Sequence, residues 1–127
     1  MPMEIAIPLE NKPGTLAKVT EVLGKAGVNL EGIGYASGAR GVLRVIPDDA
    51  DKAMAALKKA KIKTKQPREI LQVRLADTPG ALAGVARKLA KAGVNVEAFY
   101  VVGEVSGGLR CVFAVDKLDK AKAAIAT

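Results

Sequence analysis

The chain has 127 residues, half of them hydrophobic and 26% charged, with a formal net charge of +7, one cysteine and no histidine. A single cysteine excludes an internal disulfide and a cysteine metal cluster; without histidine the commonest general base, the commonest metal ligand and every histidine-activated nucleophile are missing, so neither catalysis nor a metal or other cofactor is expected. No apolar run approaches the roughly 20 residues of a membrane span, and Met1-Pro2-Met3-Glu4 lacks the charged and apolar parts of a signal peptide, so a cytoplasmic protein is expected.

In chain order, Met3, Ile5, Ile7 and Leu9 alternate with Glu4, Ala6 and Pro8, a period of two that predicts a strand with one buried face, its ladder failing at Pro8. A helix follows from Pro13, a residue favoured at the first helical position. Leu16, Val19, Leu23 and Ala26 form its buried stripe, and Gly27 stops it in a left-handed conformation. Val28 to Tyr35 predicts a second strand, the loop Ser37 to Gly41 a turn, and Val42 to Ile46 a third strand. A second helix spans Asp49 to about Ala60 with Ala50, Ala53, Met54 and Leu57 inward, and Ile62 to Gln66 is expected as a short fourth strand.

The same order then returns: strand Ile70 to Ala76, helix Pro79 to Ala92, strands Val94 to Val102 and Leu109 to Val115, and helix Lys117 to Ala126. Residues 11 to 33 match 77 to 99 without a gap at 12 of 23 positions, where composition alone would give roughly one or two. The chain is one module written twice, divided as residues 1–66 and 67–127. Beyond the third strand the displacement grows from 66 to 68, so the loop around Gly103 to Gly108 is expected to be two residues longer. Ile62 has no counterpart in the second copy, whose sheet is expected to keep an open edge, filled by the other domain or a second chain. Each unit is an α+β sandwich of the βαββαβ kind, the second lacking its own fourth strand.

The recurring loops carry the candidate site. Free N–H groups of Gly14, Thr15 and Leu16 at a helix start suit a carboxylate, and Gly14 and Gly80 have no side chain to obstruct it. Asn11 can hydrogen-bond both ends of a zwitterion, whereas Asp77 in the equivalent place attracts only its ammonium group. Asn29 and Asn95 open the second strands and could reach across a domain interface to the other copy's helix entrance. Equally, Asn11 and Asp77 could serve only as helix caps, and Asn29 and Asn95 only as turn residues. Gly32 and Gly34 stand where the second copy has Ala98 and Tyr100, which favours the first copy as the occupied one.

The lysines cluster mainly on helical faces and on the segment Lys58 to Arg68. Tyr35, Phe99, Tyr100 and Phe113 are the only aromatics, so base stacking has little support; a solvated face is favoured over nucleic acid, and an acidic partner protein stays open. Cys111, in an apolar run, reads as a core residue.

Asn11-Lys12-Pro13-Gly14-Thr15-Leu16, a helix, then Gly27-Val28-Asn29-Leu30 resembles the opening of an ACT domain. So does Asp77-Thr78-Pro79-Gly80-Ala81-Leu82 with Gly93-Val94-Asn95-Val96. The resemblance covers nearly the whole chain. It implies two ferredoxin-like ACT domains that bind an amino acid between paired copies, through Asn11, Pro13, Gly14, Thr15, Leu16 and Asn29 and through Asp77, Pro79, Gly80, Ala81, Leu82 and Asn95. Some members place a histidine two residues before the loop asparagine; Leu9 stands there in this chain, which favours an aliphatic ligand. With no catalytic or DNA-binding domain attached, the expectation is a non-enzymatic regulator of amino-acid metabolism, a homodimer through sheet edges or helices, with a metabolic enzyme as partner. Two alternatives remain: an ACT-type interaction scaffold or detached regulatory subunit without ligand sensing, and an enzyme or nucleic-acid binder on the same frame.

Overall fold

The computed structural model describes residues 2–126. Two compact units, Met1–Arg68 and Glu69–Thr127, each have their own sheet, helix pair and core.

The first unit contains β1 (Met3–Leu9), α1 (Thr15–Lys25), β2 (Leu30–Ala36), β3 (Gly41–Pro47) and α2 (Ala50–Lys59), and its sheet runs β2-β3-β1-β4, with β4 at Arg68–Glu69. The alternation of β1 sends Ile5, Ile7 and Leu9 to one face, opposite Val45, Leu43 and Gly41 of β3. Val19 and Leu23 from α1 and Ala53 and Leu57 from α2 close over that face. Each such aliphatic burial stabilises the unit by about 1.5–3 kcal/mol for the larger side chains. On the opposite face Glu4 is wholly buried, and it accepts a hydrogen bond from Arg44 at 2.8 Å.

Pro8 does not end the ladder: the β1–β3 register continues through Pro8↔Val42 and Leu9↔Gly41. The carbonyl of Ala6 accepts the Lys65 N–H at 2.9 Å, so the even-numbered residues of β1 turn their backbone groups away from β3. The N–H that proline lacks is therefore one that β3 never needed.

The fourth strand is also displaced, from the expected Ile62–Gln66 to Arg68–Glu69. The reason lies in how α2 stops. Lys61 takes the left-handed conformation (φ 60), its N–H returns to the Lys58 carbonyl at 3.0 Å, and Ile62 N–H returns to Leu57 at 2.9 Å. This is a Schellman stop, with Ile62 packed back on the core, and it occupies the residues that would have begun a strand. Gly27-Val28 and Gly93-Val94 use the same device: Val28 N–H bonds the Leu23 carbonyl at 3.1 Å and Val94 that of Leu89 at 3.0 Å. The repeated Gly-Val is thus a helix stop.

The second unit contains β5 (Leu71–Ala76), α3 (Ala81–Lys91), β6 (Val96–Val105), β7 (Gly108–Val115) and α4 (Leu118–Ala126), in a sheet ordered β5-β7-β6. Among the described residues this sheet has three strands, with β5 at an edge where β1 has β4 beside it. Phe99 packs on Phe113 with ring centroids 4.8 Å apart, and Cys111 is buried within the core of the unit, where desolvation pushes its thiol up from the ordinary value. The loop is not longer than its counterpart. Only Ser106 and Gly107 join β6 to β7, against four residues between β2 and β3; the extra length goes into the ladder, with a register shift between Val101 and Gly103.

Candidate ligand-binding site

Pro13 and Pro79 are not the first helical residues. The helices begin two positions later, at Thr15 and Ala81, and each Pro-Gly pair forms the middle of a type II turn. Gly14 has φ 91 and ψ −15 with Thr15 N–H facing the Lys12 carbonyl at 3.5 Å; Gly80 has φ 84 and ψ −5 with Ala81 N–H on the Thr78 carbonyl at 3.3 Å. Proline presets φ at the second position of that turn, and a left-handed residue is required at the third. A Cβ at either glycine would meet nothing within 4 Å, so it is backbone conformation that calls for glycine there.

Gly14 and Gly80 are themselves the N-caps, and no side chain caps either helix. The first helical bond, Lys18 N–H to the Gly14 carbonyl at 3.0 Å, leaves the Leu16 and Ala17 amides directed outward with the positive end of the helix dipole, whereas the Thr15 N–H, expected to be free, is turned to the Lys12 carbonyl. Capping therefore does not account for Asn11 or Asp77. Asn11 instead donates through Nδ2 to the Gly38 carbonyl at 2.9 Å, tying the helix entrance to the β2–β3 loop. Thr15 braces the same loop, its hydroxyl lying 2.8 Å from the Glu10 carbonyl and 3.1 Å from that of Lys12. Leu16, expected in the buried stripe, is 39% exposed, and its equivalent Leu82 is 43% exposed. Helical side chains lean toward the N-terminus, so a leucine in the first turn overhangs the helix start and the core begins at Val19.

Asn29 and Asn95 sit elsewhere. β1 and β2 both pair antiparallel with β3, so they run parallel to each other and the start of β2 lies at the end of the sheet opposite the α1 entrance. A seven-residue strand puts roughly 20 Å between the two. The backbone N–H of Asn29 bonds Asp48 Oδ1 at 3.1 Å and its carbonyl accepts the Asp48 N–H at 2.9 Å; Asn95 and Asp116 repeat this at 2.9 and 3.2 Å. Within one unit, then, Asn11, Pro13, Gly14, Thr15 and Leu16 form one cluster and Asn29 is apart; Asp77, Pro79, Gly80, Ala81 and Leu82 form another, and Asn95 is apart.

Beside each helix entrance lies a cleft. The first, about 320 Å³, is lined by Leu9, Glu10, Asn11 and the hairpin residues Ala39, Arg40 and Gly41. The second, about 340 Å³, is lined by Asp77, Thr78, Glu104 and the Gly107 to Leu109 end of its hairpin. A family model described as an ACT domain pair matches residues 2–127. The chain is a member of that family.

A crystal structure of a protein from Bacteroides thetaiotaomicron shares 34% identity over 98% of this chain and 85% of its own, with a TM-score of 0.84. The regulatory subunit of aspartate kinase from Thermus flavus shares 26% identity over 98% of this chain and 88% of its own, with a TM-score of 0.69. That from Thermus thermophilus, in its ligand-free form, shares the fold at 24% identity, covering 98% and 89% with a TM-score of 0.71. Curated proteins gave no sequence match. This ACT pair thus resembles regulatory subunits of aspartate kinase in fold and extent.

Around the ACT entrances the structure adds residues that the repeat did not single out. Arg40 lines the first cleft beside Glu10, and Glu104 lines the second beside Asp77, so one carries a charge of each sign and the other two carboxylates. Tyr35 folds over Gly41, where a Cβ would stand 3.1 Å from the Tyr35 hydroxyl and 3.1 Å from the Leu9 carbonyl; Leu109 and Val101 occupy those places in the second copy. The change of displacement from 66 to 68 was the available signal that the hairpins differ. Among the described residues no group of three or more His, Cys, Asp or Glu could hold a metal ion, and no helix is long and apolar enough to cross a membrane.

Proposed function

We propose that this ACT domain pair is a non-enzymatic regulatory protein of the cytoplasm that binds an amino acid and acts allosterically on an enzyme of amino-acid metabolism. The observation that carries the reading is its similarity, over nearly its full length, to a regulatory subunit of aspartate kinase. The local geometry supports it. The type II turn leaves each helix start without a side-chain cap, ready for a carboxylate, and Leu16 or Leu82 beside it offers an aliphatic surface. One unit cannot bring its helix entrance and its own Asn29 or Asn95 to one small ligand. The ligand would lie where the entrance of one ACT domain meets the start of the second strand of another, as in a homodimer.

The first copy is the better carboxylate site, because Arg40 offsets Glu10 at its cleft while Asp77 and Glu104 both flank the other. An aliphatic amino acid of about nine heavy atoms would bind with Kd near 1 mM, and binding to the paired arrangement would favour whichever partner prefers it. Thermal melts followed by circular dichroism test this: at about ten times Kd a true ligand should stabilise the chain by about 1.4 kcal/mol. A melting point indifferent to every amino acid would favour the scaffold reading.

A further inference from the structure

We infer that the groove between α2 and the segment after it is a docking surface for an acidic, leucine-bearing segment of a partner protein, a surface distinct from the ligand entrances and standing on its own observations. The groove, about 520 Å³, has a floor of Met54, Ala55 and Ile62 and a rim of Lys58, Lys61 and Lys63. Its shape is fixed by the Schellman stop of α2 and by Thr64, whose hydroxyl lies 3.6 Å from Met54 Sδ. Residues 50–66 contain Lys52, Lys58, Lys59, Lys61, Lys63 and Lys65 against Asp51 alone, a net +5 of the chain's +7. Among the described residues none of Lys58, Lys61 and Lys63 is engaged in an ion pair.

Charge complementarity selects an acidic occupant, and the floor decides its kind. A methionine-containing apolar floor adapts to aliphatic side chains and gives nothing to a phosphate backbone. All the cations of this segment are lysines; it contains neither arginine for bidentate phosphate or base contacts nor an aromatic ring for base stacking. Glutamates flanking leucines satisfy both rim and floor.

The probe is a fluorescein-labelled peptide of glutamates interspersed with leucines, titrated by anisotropy against the full chain at low salt. Its counterparts carry serine for leucine or glutamine for glutamate, and a labelled oligothymidylate serves as the nucleic-acid control. The expected result is binding at least about tenfold tighter than to all three. The triple variant Lys58→Glu, Lys61→Glu, Lys63→Glu should abolish it, and the milder Lys58→Gln, Lys61→Gln, Lys63→Gln should weaken it, with unchanged circular dichroism. Equal binding of the serine peptide, tighter binding of the oligonucleotide, or indifference to both triple variants would overturn the inference. Amino-acid titration of the same preparations keeps this outcome separate from that of the proposed sensor role.

Discussion

The two helix entrances share a backbone and differ in their chemistry. Both use a proline-glycine type II turn with left-handed Gly14 or Gly80 as an N-cap without a side chain. Around the first, Asn11 is tied to Gly38, Glu10 is paired with Lys12 at 3.1 Å, and Arg40 lines the cleft. Around the second stand Asp77 and Glu104, and among the described residues no such bond ties Asp77 to its hairpin. Duplication kept what the backbone needs and let the electrostatics diverge, so equal geometry does not mean equal affinity for a carboxylate.

A second comparison predicts the largest effect. Glu4 and Arg44 of the first unit correspond to Ile70 and Val112 of the second, all but Arg44 buried. Arg44→Val would leave the wholly buried Glu4 carboxylate without its arginine, so it should destabilise the chain by about 3 kcal/mol in urea unfolding, while adding Glu4→Ile should recover at least half of that. A double variant no better than the single one would show that the second unit's solution does not transfer to the first.

The shared turn gives the next effect. Gly14→Ala and Gly80→Ala should each lose about 1–2 kcal/mol, because alanine is strained at positive φ, whereas Gly24→Ala inside α1, where a Cβ meets open space, should gain up to about 1 kcal/mol. Equal behaviour of the three would remove the conformational reason for the repeated glycine.

Asn11→Ala should cost about 1 kcal/mol through the lost Gly38 bond, and Asp77→Ala close to nothing. The smallest effect concerns Cys111. Its buried thiol should be inert to a disulfide reagent until the chain unfolds. Because the folded thiol titrates higher than the unfolded one, its contribution is complete below the ordinary value of 9.0 and is lost as pH rises from there through the folded value. Rapid labelling of the native chain would contradict the burial.

These contrasts also mark what the sequence could tell. Strong periodicity made β1, the helix pairs and the Gly27 and Gly93 stops legible, and the repeat exposed both entrance loops. Turn chemistry is ambiguous in sequence where two rules compete: proline suits both a helix start and the second position of a turn, and only the positive φ of the following glycine separates them. Lys61 hid a Schellman stop because a left-handed lysine leaves no mark in composition. Asn29 and Asn95 were legible as repeated residues, but their place opposite the entrances depends on strand direction, which no local pattern contains. Arg40, Tyr35 and Glu104 were missed because they lie in the hairpins, where the copies differ.

The most direct test of the proposed function is calorimetric titration of the full chain with the proteinogenic amino acids, aliphatic ones first, alongside Asn29→Ala and Asn95→Ala. The account predicts saturable heat from one or two amino acids with Kd near 1 mM, and a loss of about tenfold in Asn29→Ala that exceeds the loss in Asn95→Ala. Silence across the set at millimolar concentrations would contradict the sensor, and equal losses in the two variants would contradict the asymmetry between its copies.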